Sequence, residues 1–131
     1  SGTWMLASPV SITQADVRQL QLAKAAIAAG IRILFGRTGL TPGDVAAVHL
    51  AGAFGNYVNR ESARRIGLFD FPLDRVKPAG NTALRGARMA LAAGVSDYEW
   101  LRGRITHVPL AANPDFQPVF VGAMTFPANA G

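Results

Sequence analysis

Val45-Ala46-Ala47-Val48-His49-Leu50-Ala51-Gly52-Ala53-Phe54-Gly55-Asn56 is the stretch on which the reading of this chain turns. It opens as a short apolar run, Val45 to Ala51, which predicts a buried strand. It then breaks into Gly52-Ala53-Phe54-Gly55-Asn56, where small residues bare the backbone and glycine permits a positive φ. Asn59 follows as an N-cap for a helix starting at Arg60-Glu61-Ser62-Ala63. The order is strand, glycine-rich turn, helix. In open α/β sheets ligands sit at the carboxyl ends of strands, and backbone N–H groups there can meet anions. An ordinary βα turn, with glycines serving packing alone, fits the same spacing. The stretch is neither G-x-G-x-x-G nor a P-loop, since no Gly-Lys-Ser/Thr follows.

Outward from this stretch the chain alternates helix and strand. Upstream, Thr3 to Ala7 and Val10 to Ile12 predict two short strands about Ser8-Pro9. Thr13-Gln14-Ala15-Asp16 carries the start signal of a helix. Gln14 to about Phe35 is the clearest helix, with Val17, Leu20, Ile27, Ile31 and Leu34 at helical spacing and alanines between. Gly30 inside it points to close packing against another element. Gly36 and Gly39 are expected to end it. Lys24 falls within the apolar stripe. It is either a lysine whose stem covers the core edge or one aimed at a ligand from the rim of a cleft, with Gln21 one turn earlier. Thr41-Pro42-Gly43-Asp44 is a capped turn.

Downstream, Glu61 to Ile66 predicts a short helix ended by Gly67, and Leu68 to Leu73 a loop. Arg75 to Ala79 is a second parallel strand, closed by Gly80-Asn81. Thr82 to Ala93 is a helix with Leu84, Ala87 and Leu91 lining one face and Gly86 allowing close approach. Ser96-Asp97-Tyr98-Glu99 reads as a capping box for a helix ending at Gly103. Arg104 to Val108 is a third strand candidate. Asn113-Pro114-Asp115-Phe116 signals a last helix from Gln117 to about Thr125, with Asn113 as cap. Phe126 to Gly131 is expected to fray. The pattern is α/β, with right-handed crossovers.

A chain of 131 residues makes one domain, divided as strands (1–12), long helix (13–37), a central β-α-β-α segment (45–94) and a closing α-β-α segment (95–131). Half of its residues are hydrophobic and 16% are charged, a globular composition. The absence of cysteine excludes disulfides and any iron–sulfur cluster held by this chain. No apolar run reaches the ~20 residues needed to span a bilayer, and no signal-peptide pattern opens the chain. The start at Ser1-Gly2 without Met reads as an excised or processed end. Net charge is +5, but the arginines are scattered rather than clustered, so nucleic-acid binding is not expected. His49 and His107 lie apart in apolar segments and read as core or surface residues. The carboxylates sit at helix starts and turns, where capping explains them. No catalytic set and no metal site is complete.

Ile12 to Ile27, Leu50-Ala51-Gly52-Ala53-Phe54-Gly55-Asn56-Tyr57, Arg65-Ile66-Gly67-Leu68, Gly80-Asn81-Thr82-Ala83-Leu84-Arg85-Gly86-Ala87 and Pro114-Asp115-Phe116-Gln117 together resemble one family. It is the C-terminal ATPase domain of the reductive activators of corrinoid proteins. That domain belongs to the sugar kinase/heat-shock chaperone/actin superfamily. The resemblance runs from about Trp4 to Phe126. It implies a ribonuclease H-like half of an actin- or chaperone-type ATPase domain, a small mixed sheet with a long packed helix.

By the same resemblance, Gly52, Ala53, Phe54, Gly55 and Asn56 look like the adenosine loop. Gln21 and Lys24 look like adenine-contacting helix positions, and Asn81 and Thr82 like the second wall of the pocket. The family pattern carries two adjacent glycines where this chain has Gly52-Ala53, one methyl more beside the expected ligand. The implied cofactor is ATP or ADP with Mg²⁺, incompletely bound here, with a [2Fe–2S] cluster in an N-terminal part only. The implied partners are a corrinoid protein of a methyl-transfer system and the N-terminal subdomain that carries the phosphate loop. The implied location is the cytoplasm, with no membrane contact. The implied function is the nucleotide-side half of an ATP-dependent activator returning Co(II) corrinoid to Co(I). Lacking the phosphate loop, this chain alone is not expected to hydrolyse ATP. The alternative is a non-enzymatic docking module of the same fold, its nucleotide binding lost through Ala53.

Overall fold

The protein is described from a computed structural model for residues 2–52 and 54–128, the side chains of Phe54, Val95 and Asp97 excepted. The element order follows the expected alternation. Strands β1 (Thr3–Ala7) and β2 (Val10–Thr13) form an antiparallel hairpin with a cis Ser8–Pro9 peptide at its turn. The hairpin leads directly into α1 (Gln14–Thr38). Then come β3 (Val48–Ala51), α2 (Arg60–Arg65), β4 (Val76–Gly80), α3 (Thr82–Ala93), α4 (Glu99–Arg102) and α5 (Phe116–Ala123). β3 and β4 pair in parallel, Val48 opposite Val76 and His49 opposite Lys77. The expected small mixed sheet is thus realised as two two-stranded sheets, one antiparallel and one parallel.

Local chemistry sets the ends of α1. Thr13 and Asp16 make a reciprocal capping box: the Thr13 N–H donates to Asp16 Oδ2 at 2.8 Å, and the Asp16 N–H to Thr13 Oγ1 at 3.2 Å. The Thr13 hydroxyl also donates to Asp16 Oδ2 at 2.6 Å, and this bond, with that of the Thr13 N–H, favours the ionised carboxyl and holds Asp16 below the usual carboxylate range. Gly36 does not stop the helix. It ends at Gly39, which takes the left-handed conformation (φ 69°) with its N–H on the Phe35 carbonyl.

The face that α1 buries is not the predicted one. Ala25, Ala28 and Ala29 are buried, whereas Leu20, Ile27 and Leu34 are 43–51% exposed. The small side chains let α1 approach α5 closely, forming a seam with Ala123, Phe120 and Met124. Gly30 lies on that face as expected: a Cβ there would sit 3.3 Å from Leu110 Cδ1. The larger residues Ile31 and Phe35 turn to a second core of Ala63, Phe69, Phe71 and Val76.

Other expectations are corrected by what lies beside each segment. The strand predicted from Val45 begins only at Val48, and β3 is half-buried, not buried. The Arg75 guanidinium donates to the carbonyls of Gly43 (2.5 Å) and Val45 (2.8 Å), so Val45's acceptor is already engaged. Arg104 to Val108 forms no strand. The Arg104 and Ile105 N–H groups continue the turn of α4 onto Leu101, and Ile105 is 70% exposed with no sheet beside it to join. Ser96 is not the N-cap of α4. A 3-10 turn over Val95–Tyr98 precedes it, and the cap position falls to Tyr98 without a side-chain bond. Asn113 caps the turn before α5, accepting from the Asp115 N–H at 2.9 Å, and α5 itself starts at Phe116. α3 is capped at Asn81 as predicted but buries no residue: Leu84 is 57% and Leu91 87% exposed, and nothing approaches Gly86 within 4 Å. Phe126 and Pro127 do not fray but pack against Lys24 and Gly67.

Candidate functional site

The parallel pairing of β3 and β4 brings two loops together at the carboxyl ends of both strands. Gly52 follows β3 with φ 94° and donates its N–H to the Gly80 carbonyl at 2.8 Å. Gly80, with φ 68°, closes β4. Both positions need the left-handed region, which glycine enters without a Cβ penalty. The chain then winds into a 3-10 turn, Phe54–Asn56.

The glycines of this turn serve different ends. A Cβ at Gly55 would meet the Leu50 carbonyl oxygen at 2.8 Å, so Gly55 is required by the approach of the chain to itself. A Cβ at Gly52 would meet nothing within 4 Å among the described residues beyond its chain neighbours. Asn56 reaches over Gly80, its Nδ2 3.9 Å from where a Cβ there would lie. Asn81 caps α3, its Oδ1 accepting from the Leu84 N–H at 3.0 Å, and Thr82 begins that helix. Gly52, Gly55, Asn56, Asn81 and Thr82 are therefore gathered at one end of the parallel pair. Phe54 belongs to the same turn by its backbone, and Ala53 lies outside the described residues.

Gln21 and Lys24 are placed otherwise. Gln21 is half-buried on α1, and its amide has no protein partner among the described residues. Lys24 is 2% exposed, and its ammonium is engaged by the C-terminal segment. Nζ donates to the Thr125 carbonyl at 2.6 Å and lies 5.2 Å from the Phe126 ring centroid. Burial, and secondarily the positive charge of Arg32, lower its pKa from the ordinary lysine value. Neither sequence reading of Lys24 included this partner: its Nζ does not reach solvent but ends on the Thr125 carbonyl. The signal was the aromatic Phe126 in a tail expected to fray.

His49 and His107 are exposed. Among the described residues no three of His, Cys, Asp and Glu converge to hold a metal ion, and no helix is long and apolar enough to cross a membrane. Of the candidate nucleotide residues, Asn81 lines a groove of about 520 Å³ along α3, shared with Arg85 and Arg88. A cleft of about 570 Å³ lies elsewhere and includes none of them.

Comparisons with known proteins place this geometry in a family. A solved "Reductive activator for corrinoid,iron-sulfur protein" superposes with a TM-score of 0.79 at 34% identity, over 89% of this chain and 19% of that one. The "Corrinoid activation enzyme RamQ" of Eubacterium limosum is 37% identical over 117 residues, 86% of this chain and 19% of that protein. The "[Co(II) methylated amine-specific corrinoid protein] reductase" of Methanosarcina barkeri is 27% identical over 130 residues, 96% of this chain and 24% of that protein. The chain thus spans about a fifth to a quarter of the length of the relatives it matches. The family described as the "C-terminal domain of RACo the ASKHA domain" matches residues 3–130, and the chain belongs to it.

Proposed function

We propose that this chain is the nucleotide-side half of an ATP-dependent activator that returns an inactive Co(II) corrinoid protein to Co(I). The names of the relatives support the corrinoid part of the reading. The observation that carries the nucleotide part is the bond between the two loops, Gly52 N–H to Gly80 O, at the carboxyl ends of parallel strands. It leaves a glycine face where, among the described residues, nothing beyond the chain neighbours comes within 4 Å of where a Cβ would stand. That face fits a purine or ribose better than a side chain would, since a Cβ at Gly52 would occupy the space. Asn56 and Asn81 supply amides beside it.

In this reading the chain orients adenosine and supplies no catalytic group. Phosphoryl transfer needs phosphate, metal and water positioned together. Any Mg²⁺ brought with the nucleotide would not find a three-ligand carboxylate or imidazole cluster among the described residues. The phosphate contacts, the electron carrier and the surface facing the corrinoid protein would belong to other parts of a longer protein. Gln21 remains a proposed adenine contact through its free amide. An adenine contact by Lys24 requires its bond to Thr125 to break first.

Titration calorimetry of the intact protein with ATP and ADP tests the reading. Micromolar binding is expected; Asn56→Ala should weaken it by removing an amide beside the ligand, and Gly52→Val should weaken it at least about tenfold, by a Cβ beside the ligand together with the strain of a β-branched residue at φ 94°. Binding unaffected by Gly52→Val and by Asn56→Ala would move the nucleotide away from this turn. No heat with either nucleotide would leave the docking module as the better account.

A further inference from the structure

A second cleft opens at the other pole of the β3–β4 pair. α1 ends at that pole, and β3 and β4 begin there: Arg75, just ahead of β4, holds the carbonyls of Gly43 and Val45 ahead of β3. The cleft has a volume of about 570 Å³, within the ~300–1,000 Å³ of small-ligand sites. Its floor is aromatic. The rings of Phe35 and Phe69 each lie 5.9 Å from that of Phe71, all three tilted.

Charged groups line the same cleft. Arg32 of α1 and Arg64 of α2 are exposed, and neither has an ion pair or hydrogen bond among the described residues. Asp70, between the two floor phenylalanines in sequence, is the one acid lining it. Pro127 closes one side, 3.1 Å from where a Cβ on Gly67 would stand. Arg32 and Arg64 come from different helices and line the same cleft as the three phenylalanines. Guanidinium forks match carboxylate geometry, and the rings offer a surface for hydrocarbon. The lining carries two positive side chains and one negative one, and the Lys24 ammonium stands beside Gly67, 3.4 Å from where a Cβ there would lie, so the cleft is net positive and favours an anion.

We propose that this cleft is a second binding site, distinct from the glycine turn, for an apolar group bearing a carboxylate. The hydrocarbon or ring lies on Phe35, Phe69 and Phe71, and the carboxylate accepts from Arg32 and Arg64. That chemistry is shared by a free organic acid and by an acidic residue next to an aromatic one in a peptide. The proposal uses none of the residues assigned to the nucleotide, so the two stand or fall separately.

Ligand-observed NMR titration of the intact protein tests it, with 3-phenylpropionate, neutral 3-phenylpropionamide, inorganic phosphate and the dipeptide acetyl-Glu-Phe-amide as probes. Phenylpropionate or the dipeptide should bind about tenfold or more tightly than the amide, a preference worth one charge-assisted pair. The tighter of the two identifies the source as a free acid or a polypeptide. Arg32→Gln and Arg64→Gln should each weaken binding, Asp70→Asn should strengthen it, and added salt should weaken it. Far-UV circular dichroism of each variant should match the wild type. Equal binding of acid and amide, phosphate binding as tightly as the acid, displacement of the acid by ATP, or no effect of Asp70→Asn would each overturn the proposal.

Discussion

Helices α1 and α3 carry equally plain start and stop signals, yet they end in opposite surroundings. Each is capped by a side chain at its first turn and closed by a positive-φ glycine, Gly39 or Gly94. α1 buries Lys24, Ala25, Ala28, Ala29, Gly30 and Ile33, whereas α3 buries nothing. Capping and glycine punctuation decide where a helix begins and ends, because they act within a turn or two of chain. They carry no information about whether another element arrives to cover it. α1 has α5 along one face and the aromatic core along another. In this chain α3 has neither.

The contrast predicts very unequal responses to truncation. The largest is expected at Phe71, which is 7% exposed and joins α1 to the β3–β4 pair through its ring contacts with Phe35 and Phe69. Phe71→Ala should lower stability by about 3–5 kcal/mol, the range for a buried ring removed from a packed core. Urea unfolding checks this. A loss under about 1 kcal/mol would mean that the aromatic core collapses around the hole, and the contrast with α3 would weaken accordingly.

Lys24 is the next largest and separates two components of the α1 seam. Lys24→Ala removes both the bond to Thr125 and the packing of a fully buried stem, and should cost about 2–3 kcal/mol. Lys24→Met keeps most of the packing, so the difference between the two variants isolates the stem. Titration gives a third readout. Because the folded pKa of Lys24 lies below its unfolded value, the unfolded chain binds more protons between the two. Stability from this group therefore rises with pH through that alkaline window, the reverse of a lysine stabilised by a partner. Lys24→Met should abolish the rise. Its persistence in the variant would assign it to another group.

What was legible in the sequence follows the same division. The turn of the hairpin, the Thr13–Asp16 box and the Asn59 and Asn81 caps were readable because each is set by neighbours in sequence; β3 and β4 showed as apolar runs, but the start of β3, three residues later than expected, did not. The glycine turn was readable too, as residues that must bare the backbone. Burial was not. The alternation of Leu20, Ile27 and Leu34 promised a core face, but close approach of α5 selects the alanine face instead. Arg104 to Val108 has strand composition, and a strand exists only where another strand offers its edge. The aromatic cleft was hidden in an apparent loop. Phe69-Asp70-Phe71 places two rings two residues apart, the one local hint, but Arg32 and Arg64 reach the same place from helices far apart in sequence.

The smallest expected effect is the most direct test of the contrast. Leu91 is the most exposed leucine of α3, at 87%. If its surroundings are as seen in this chain, Leu91→Ala should change stability by no more than about 0.5 kcal/mol, as for surface substitutions elsewhere. Alanine also has the higher helix propensity, which offsets part of whatever contact the leucine makes. The same substitution in a longer protein containing this domain asks a different question. If another segment covers α3 there, the cost should rise toward the ~2 kcal/mol or more of a leucine lost from a packed site, while Phe71→Ala keeps its value. Equal small costs for Leu91→Ala in both settings would make the bare face of α3 a property of the domain itself. The difference between the two helices would then be intrinsic to the fold.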